Sequence, residues 1–220
     1  RNAARVEVSQ RLAQLDPPAV DAAADGAELD AQRRRDLLVG QPLDVAEDDG
    51  DAELRRLDAA GFRGVRFNFM GHLGRHTPIE EVLSLAGRFA PLGWHLQIHG
   101  DPALLTDLAP ALRRSPTPVV VDHIGRIDAS QGLDQPDFRA LLGLMAHERF
   151  WVKVSGMDRI TRQGPPYADA QPFARMLVAE FGDRVVWGND WPHPNHAGPG
   201  PDEQQLVGLI AEMAPSESAR

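Results

Sequence analysis

The chain has 220 residues, 42% hydrophobic and 25% charged, a composition that fits one globular α/β or all-β domain, or two small ones, and rules out fibrous and wholly disordered classes. With 32 acidic against 23 basic side chains, a formal charge of -9 sets the overall field against nucleic-acid phosphates and leaves small metabolites as the expected partners. Cysteine is absent, which removes disulfides, thiolate metal sites and a cysteine nucleophile; no apolar run of about 18 residues and no leader are seen, so no membrane partner is expected and the cytoplasm is the default location.

Residues 1–60 carry 14 acids and 8 bases, and their apolar positions follow neither helical nor strand period. A divergent or poorly ordered segment is expected over 1–50, followed by a barrel-like domain over 51–220. Order is predicted to begin at Asp51, with a helix to Ala60 that has acids in its first turn and Gly61 at its C-terminal stop. From there one pattern repeats: a short β-rich run, a turn, an amphipathic helix. Strands are predicted at Val65–Phe69, His95–His99, Val119–His123, Trp151–Ser155 and Val185–Gly188. Thr77-Pro78-Ile79-Glu80 has the form of a capping box, and Asp101-Pro102 repeats the cap-plus-proline logic. Later helices are expected over Pro136–His147, Ala170–Phe181 with Gly182 as a stop, and Asp202–Met213. Strand starts 30, 24, 32 and 34 residues apart fit right-handed βα crossovers and a parallel sheet.

The strand ends choose between a doubly wound sheet and a barrel. The first strand runs into Phe67-Asn68-Phe69-Met70-Gly71, without the glycine-rich turn of dinucleotide folds. Each strand instead ends in polar or ionisable residues: Arg66 and Asn68, Gln97 and His99, Asp122 and His123, Lys153 and Ser155, Asn189 and Asp190. In a (β/α)8 barrel such ends converge on one mouth, where active sites are built. The alternative for any one of them is a surface polar residue capping a helix. Lys153, the one lysine, needs a carboxylate partner if it faces the interior, with Asp122 or Asp190 as candidates. His72, His76, His147 and His196 show no spacing that makes a site.

Four stretches carry a resemblance: GFRGVRFN from Gly61, VDHIGR from Val121, VKVSGMDR from Val152 and WGNDWPHPN from Trp187. In this order they are similar to the amidohydrolase superfamily, and most nearly to the 2-pyrone-4,6-dicarboxylate lactonase branch. The resemblance implies an α/β fold of (β/α)8 TIM-barrel type and a hydrolase that opens a carboxylate-bearing lactone, of the kind met in aromatic compound degradation. It implies that Asp190 takes a proton from the attacking water and that His123 polarises the carbonyl; for His123 the alternative is a histidine satisfied inside the barrel wall. It places Arg66, Arg126 and Arg159 on a substrate carboxylate, for which a planar fork is suited. Asn68, His99, Ser155 and His193 complete the expected substrate-binding set, with helix or turn capping as the alternative for Asn68 and Ser155. No cofactor is required in this reading, and no metal ligand is assigned; Zn²⁺ or Mn²⁺ on His123 and Asp190, in a metal-dependent hydrolase or decarboxylase, is the second reading.

The chain also departs from the family. Its eight histidines begin at His72, so the first-strand His-x-His pair is missing, and five strands are legible where a closed barrel has eight. Residues 1–50 are expected not to match the family, which raises a third reading, a non-catalytic remnant or ligand-binding protein. An incomplete barrel would expose sheet edges, so a homo-oligomer is a further expectation. His72 and His99 stand where the lactonase branch has an arginine and a tyrosine, which argues for a carboxylated lactone other than the pyrone dicarboxylate.

Overall fold

Helix α1 (Glu47–Ala59) opens the part of the chain that the computed structural model describes, namely residues 47–70, 77–191, 193 and 201–214. The helix starts four residues before the expected Asp51. Its end follows the expected chemistry: Gly61 has φ +96, Gly61 N–H donates to Asp58 O and Phe62 N–H to Leu57 O, the paired bonds of a Schellman stop.

Five strands follow, β1 (Gly64–Asn68), β2 (His95–His99), β3 (Val119–Val121), β4 (Phe150–Lys153) and β5 (Val185–Val186), paired in sequential order and all parallel. Helices α2 (Ile79–Phe89), α3 (Pro102–Leu112), α4 (Pro136–Met145), the short α5 (Met157–Ile160), α6 (Gln171–Phe181) and α7 (Glu203–Met213) intervene or follow. The period of two along a strand sends Val65, Phe67, Leu96 and Ile98 into a core shared with Val82, Phe89, Leu105, Phe138 and Phe173 of the helices. Full burial of each such side chain is worth roughly 1.5–3 kcal/mol, so this one layer holds the units together. The other face of the same strands carries Arg66, Gln97 and Lys153, and it is this face that leads to the site.

Several boundaries differ from the sequence expectation for local reasons. β3 stops at Val121 because the chain turns left-handed at His123, although Asp122 N–H still donates to Ile98 O at 2.9 Å and prolongs the ladder by one residue. β4 begins one residue early, and β5 is only two residues long. α2 begins at Ile79 with Pro78 as its cap residue and no side-chain cap bond, so the capping box does not form there. Asp101 and Asp202 do stand at the caps of α3 and α7, and Asp202 accepts from Gln205 N–H at 2.9 Å. Gly182 is not a left-handed stop; at φ -55 it continues into a 3-10 turn whose Arg184 donates to the carbonyls of Met145, His147 and Phe150. No helix among the described residues is long and apolar enough to cross a membrane.

Candidate active site

A buried carboxylate organises the floor of the site. Asp122, with a side chain 1% exposed, accepts from Arg66 Nε at 2.6 Å and from Gln97 Nε2 at 2.8 Å, and Lys153 Nζ lies 3.3 Å away. Burial alone would raise its pKa; Lys153, Arg66 and His123 overcome this and hold it well below the usual carboxylate range. Three adjacent strands and the end of a fourth are thus cross-linked by one ionised group. Lys153 takes Asp122, one of its two candidate partners, and Arg66 spends its Nε there while its terminal nitrogens remain for other contacts.

Past Asp122 the backbone enters a left-handed turn. His123, Ile124, Gly125 and Arg126 have φ of 48, 52, 63 and 58, and Gly125 N–H closes the turn on Asp122 O at 2.9 Å. For the three non-glycine residues this conformation costs roughly 1–2 kcal/mol each. Complete burial of Ile124, together with Ile127, offsets part of that cost. The turn aims His123 across the strand ends: Nδ1 shares a hydrogen bond with Ser155 Oγ at 3.2 Å, Nε2 stands 3.5 Å from Asp190 Oδ1, and the ring meets His99 edge-on with centroids 5.1 Å apart. Burial lowers the His123 pKa, against the raising effects of Asp122 and Asp190, so the ring is neutral near pH 7.

Asp190 follows β5, also left-handed at φ 64. Its Oδ2 accepts from Arg159 Nε at 3.1 Å and Nη2 at 3.0 Å, which leaves Oδ1 facing His123. Arg126 lies close enough to Arg159 for burial and then that charge to lower its pKa, the sign of two cations crowded at one mouth. His99 is pushed down to about 3 by burial and by Arg66, and both of its ring nitrogens are buried without a partner.

The fold therefore brings Arg66, His99, His123, Arg126, Ser155, Arg159 and Asp190 to one mouth. Asn68 Oδ1 accepts from Met70 N–H at 3.1 Å, the turn-capping contact that was the alternative for it. His193 Nε2 is bonded to Glu203 Oε1 at 2.9 Å, and the residue is buried. Trp191 beside it is exposed. His72, His76 and His196 lie outside the described residues. Two contributors had no role in the sequence reading. Gly156, at φ 67, packs so closely that a Cβ there would lie 2.6 Å from His123 Nδ1; Glu203 stands at the start of α7. The glycine in Val-Ser-Gly-Met was a visible signal, whereas nothing in the sequence links Glu203 to a loop ten residues earlier.

Among the described residues no three or more His, Asp or Glu side chains gather where they could hold a metal ion. His123 and Asp190 alone are too few for the three protein ligands of a catalytic zinc site, and Arg159 occupies one Asp190 oxygen. The described donors do not fit a metal.

The sequence pattern of the amidohydrolase family matches residues 6–220. The chain belongs to the amidohydrolase family. The expectation that residues 1–50 fall outside the family is corrected, because the match begins at residue 6; a segment rich in Ala, Asp and Arg hides its relationship when read by periodicity alone. Among curated proteins the chain is 45% identical over 175 residues to the 2-pyrone-4,6-dicarboxylate hydrolase of Comamonas testosteroni, covering 76% of this chain and 57% of that protein. It is 36% identical over 171 residues to the 4-sulfomuconolactone hydrolase of Rhizobium radiobacter, with 76% and 57% covered. The chain thus spans a little over half the length of these relatives. Among solved structures, that of a probable 2-pyrone-4,6-dicarboxylic acid hydrolase from Acinetobacter baumannii with citric acid bound superposes with a TM-score of 0.69 at 26% identity, covering 92% of this chain and 76% of the other. The five parallel βα units are those of a TIM-barrel amidohydrolase.

Proposed function

We propose that this amidohydrolase is a hydrolase that opens a carboxylate-bearing lactone with water and no cofactor. One observation carries the reading: Asp190 is oriented by Arg159 through Oδ2 and presents Oδ1 to a neutral His123 that Ser155 holds from behind. The 3.5 Å between Asp190 Oδ1 and His123 Nε2 is long for a direct bond, and catalytic contacts often tighten only when substrate is present.

In this mechanism Asp190 accepts a proton from water as the water oxygen forms a bond to the lactone carbonyl carbon. The carbonyl π pair moves onto its oxygen, which His123 Nε2–H stabilises as negative charge develops. When the intermediate collapses, the ring C–O bond breaks and the leaving alkoxide takes the proton back from Asp190. One water is consumed and one hydroxy acid is formed. Arg126 and Arg159, with the free nitrogens of Arg66, supply planar forks for the substrate carboxylate. The relatives named for lactone hydrolysis, and the citric acid in one of their structures, support a carboxylated substrate.

The test is proton release by pH-stat from a panel of mono- and dicarboxylated lactones, run with chelator on the wild type and on Asp190→Asn, with cooperative unfolding checked for both. Turnover is expected in the wild type and a loss of at least about 100-fold in the variant, the lower end of the range for one general base. Equal rates in the two proteins would sink the proposal.

A further inference from the structure

The loop that carries Asp190 needs an external restraint. Asp190 and His193 are both left-handed, at φ 64 and 55, and neither is glycine, so the surrounding structure must hold them there. His193 N–H donates to Asp190 O at 2.8 Å and Trp191 N–H to Asn189 Oδ1 at 3.3 Å, bonds that close the turn but do not anchor it. Arg159 holds the Asp190 carboxylate, and an anchor for the backbone on either side of it comes from α7. Both oxygens of Glu203 are used: Oε2 accepts from Asn189 Nδ2 at 2.6 Å, and Oε1 from His193 Nε2 at 2.9 Å. Because a carboxylate only accepts, the His193 proton sits on Nε2. Residues 189 and 193 are thereby clamped from outside, one on each side of Asp190, by a single side chain that makes no contact with Asp190 itself.

We propose that Glu203 is a positioning residue: by clamping Asn189 and His193 it fixes the backbone of Asp190 so that Oδ1 faces His123. The proposal rests on the reading of Asp190 as the base, and it gives His193 a structural task in place of a substrate contact. Both bonds are charge-assisted, and Glu203 is itself fixed as the first residue of a helix capped by Asp202. A carboxylate at that position also meets the positive end of the helix dipole, a favourable interaction.

The experiment measures amide hydrogen exchange together with steady-state kinetics on wild type, Glu203→Ala, Glu203→Gln and, as a control on α7 away from the loop, Glu212→Ala. Exchange at the Trp191 and His193 amides is expected to rise at least about tenfold in Glu203→Ala, with the amides of β1 to β4 unchanged, because loss of the clamp opens the loop and not the core. Glu203→Gln, which keeps an acceptor for Asn189, is expected to restore most of the protection, and Glu212→Ala to leave both amides as in the wild type. On whichever carboxylated lactone the wild type turns over, kcat falls about 10- to 100-fold in Glu203→Ala while KM stays within about threefold, the signature of a displaced base and not of a lost substrate contact. Unchanged exchange at residues 191 and 193, or a uniform rise across the sheet, overturns the proposal whether or not a substrate has been found. Raised exchange with unchanged kcat overturns it as well. Silence from a folded wild type would count against the lactonase reading alone, and the exchange data would still decide whether Glu203 holds the loop.

Discussion

Replacement of Gly156 by alanine would test the geometry around His123 most directly. Gly156 has φ +67, a conformation that costs an alanine roughly 1–2 kcal/mol. Its added Cβ would stand 2.6 Å from His123 Nδ1, 2.9 Å from His123 Cγ and 3.1 Å from Arg159 Cγ. Ordinary contact begins near 3.4 Å, so the imidazole must retreat by several tenths of an ångström. It has little room: the ring is buried, packs edge-on against His99 and is bonded to Ser155. Overpacking of this kind adds about 1–3 kcal/mol, for a combined loss of about 2–5 kcal/mol. In a chain of this size that corresponds to a fall in Tm of roughly 4–20 °C. The same displacement draws Nε2 away from its place opposite Asp190, and a shift approaching 1 Å lowers the rate about 100-fold. Scanning calorimetry and pH-stat turnover would be run beside Gly182→Ala, where φ is -55 and no atom lies within 4 Å of an added Cβ, so that little change is expected. A Gly156→Ala protein with the Tm and turnover of Gly182→Ala would refute the packing argument.

Two further perturbations probe the charges beneath the site. Asp122→Asn removes the carboxylate that pairs with both Arg66 and Lys153 and is expected to destabilise by about 3 kcal/mol, the low end for an orphaned buried pair because the two cations stay 28% and 31% exposed. Urea unfolding midpoints measure it, and a loss below about 1 kcal/mol would mean that solvent already screens the cluster. Acidification is expected to destabilise from pH 6.5 downward. Burial, then Lys153, lowers His95 to about 4, and burial, then Arg66, lowers His99 to about 3, so the unfolded chain binds these protons first; stability is full above 6.5 and is lost as pH falls toward 4 and 3. Asp122 adds a loss below the ordinary aspartate range for the opposite reason, its carboxylate being favoured when folded. Thermal unfolding between pH 8 and 5 checks this, with a flatter profile expected for His95→Gln; stability rising as pH falls from 7 to 5 would contradict it.

What the sequence determined by itself was local. Alternation along five short β-rich runs, with helix caps and stops between them, sufficed for five parallel βα units and for placing a polar residue at each strand end, because the period of a strand and the needs of a helix terminus are met by neighbours in the chain. His123, Ser155 and Asp190 were legible for that reason, each lying past a strand, whereas Arg159, in α5, was singled out only by the family resemblance. The tertiary structure decided which of these groups meet. Arg66 is tied to Asp122, 56 residues away, and His193 to Glu203, ten residues on; neither could be read from spacing, since hydrogen-bond partners are chosen by proximity in the folded state. The left-handed turn at His123 was hidden in the same way. His-Ile-Gly-Arg has one residue that favours positive φ and three that take it only because a buried isoleucine and a closing backbone bond hold them there, and that strain is visible only once the strands have assembled around it.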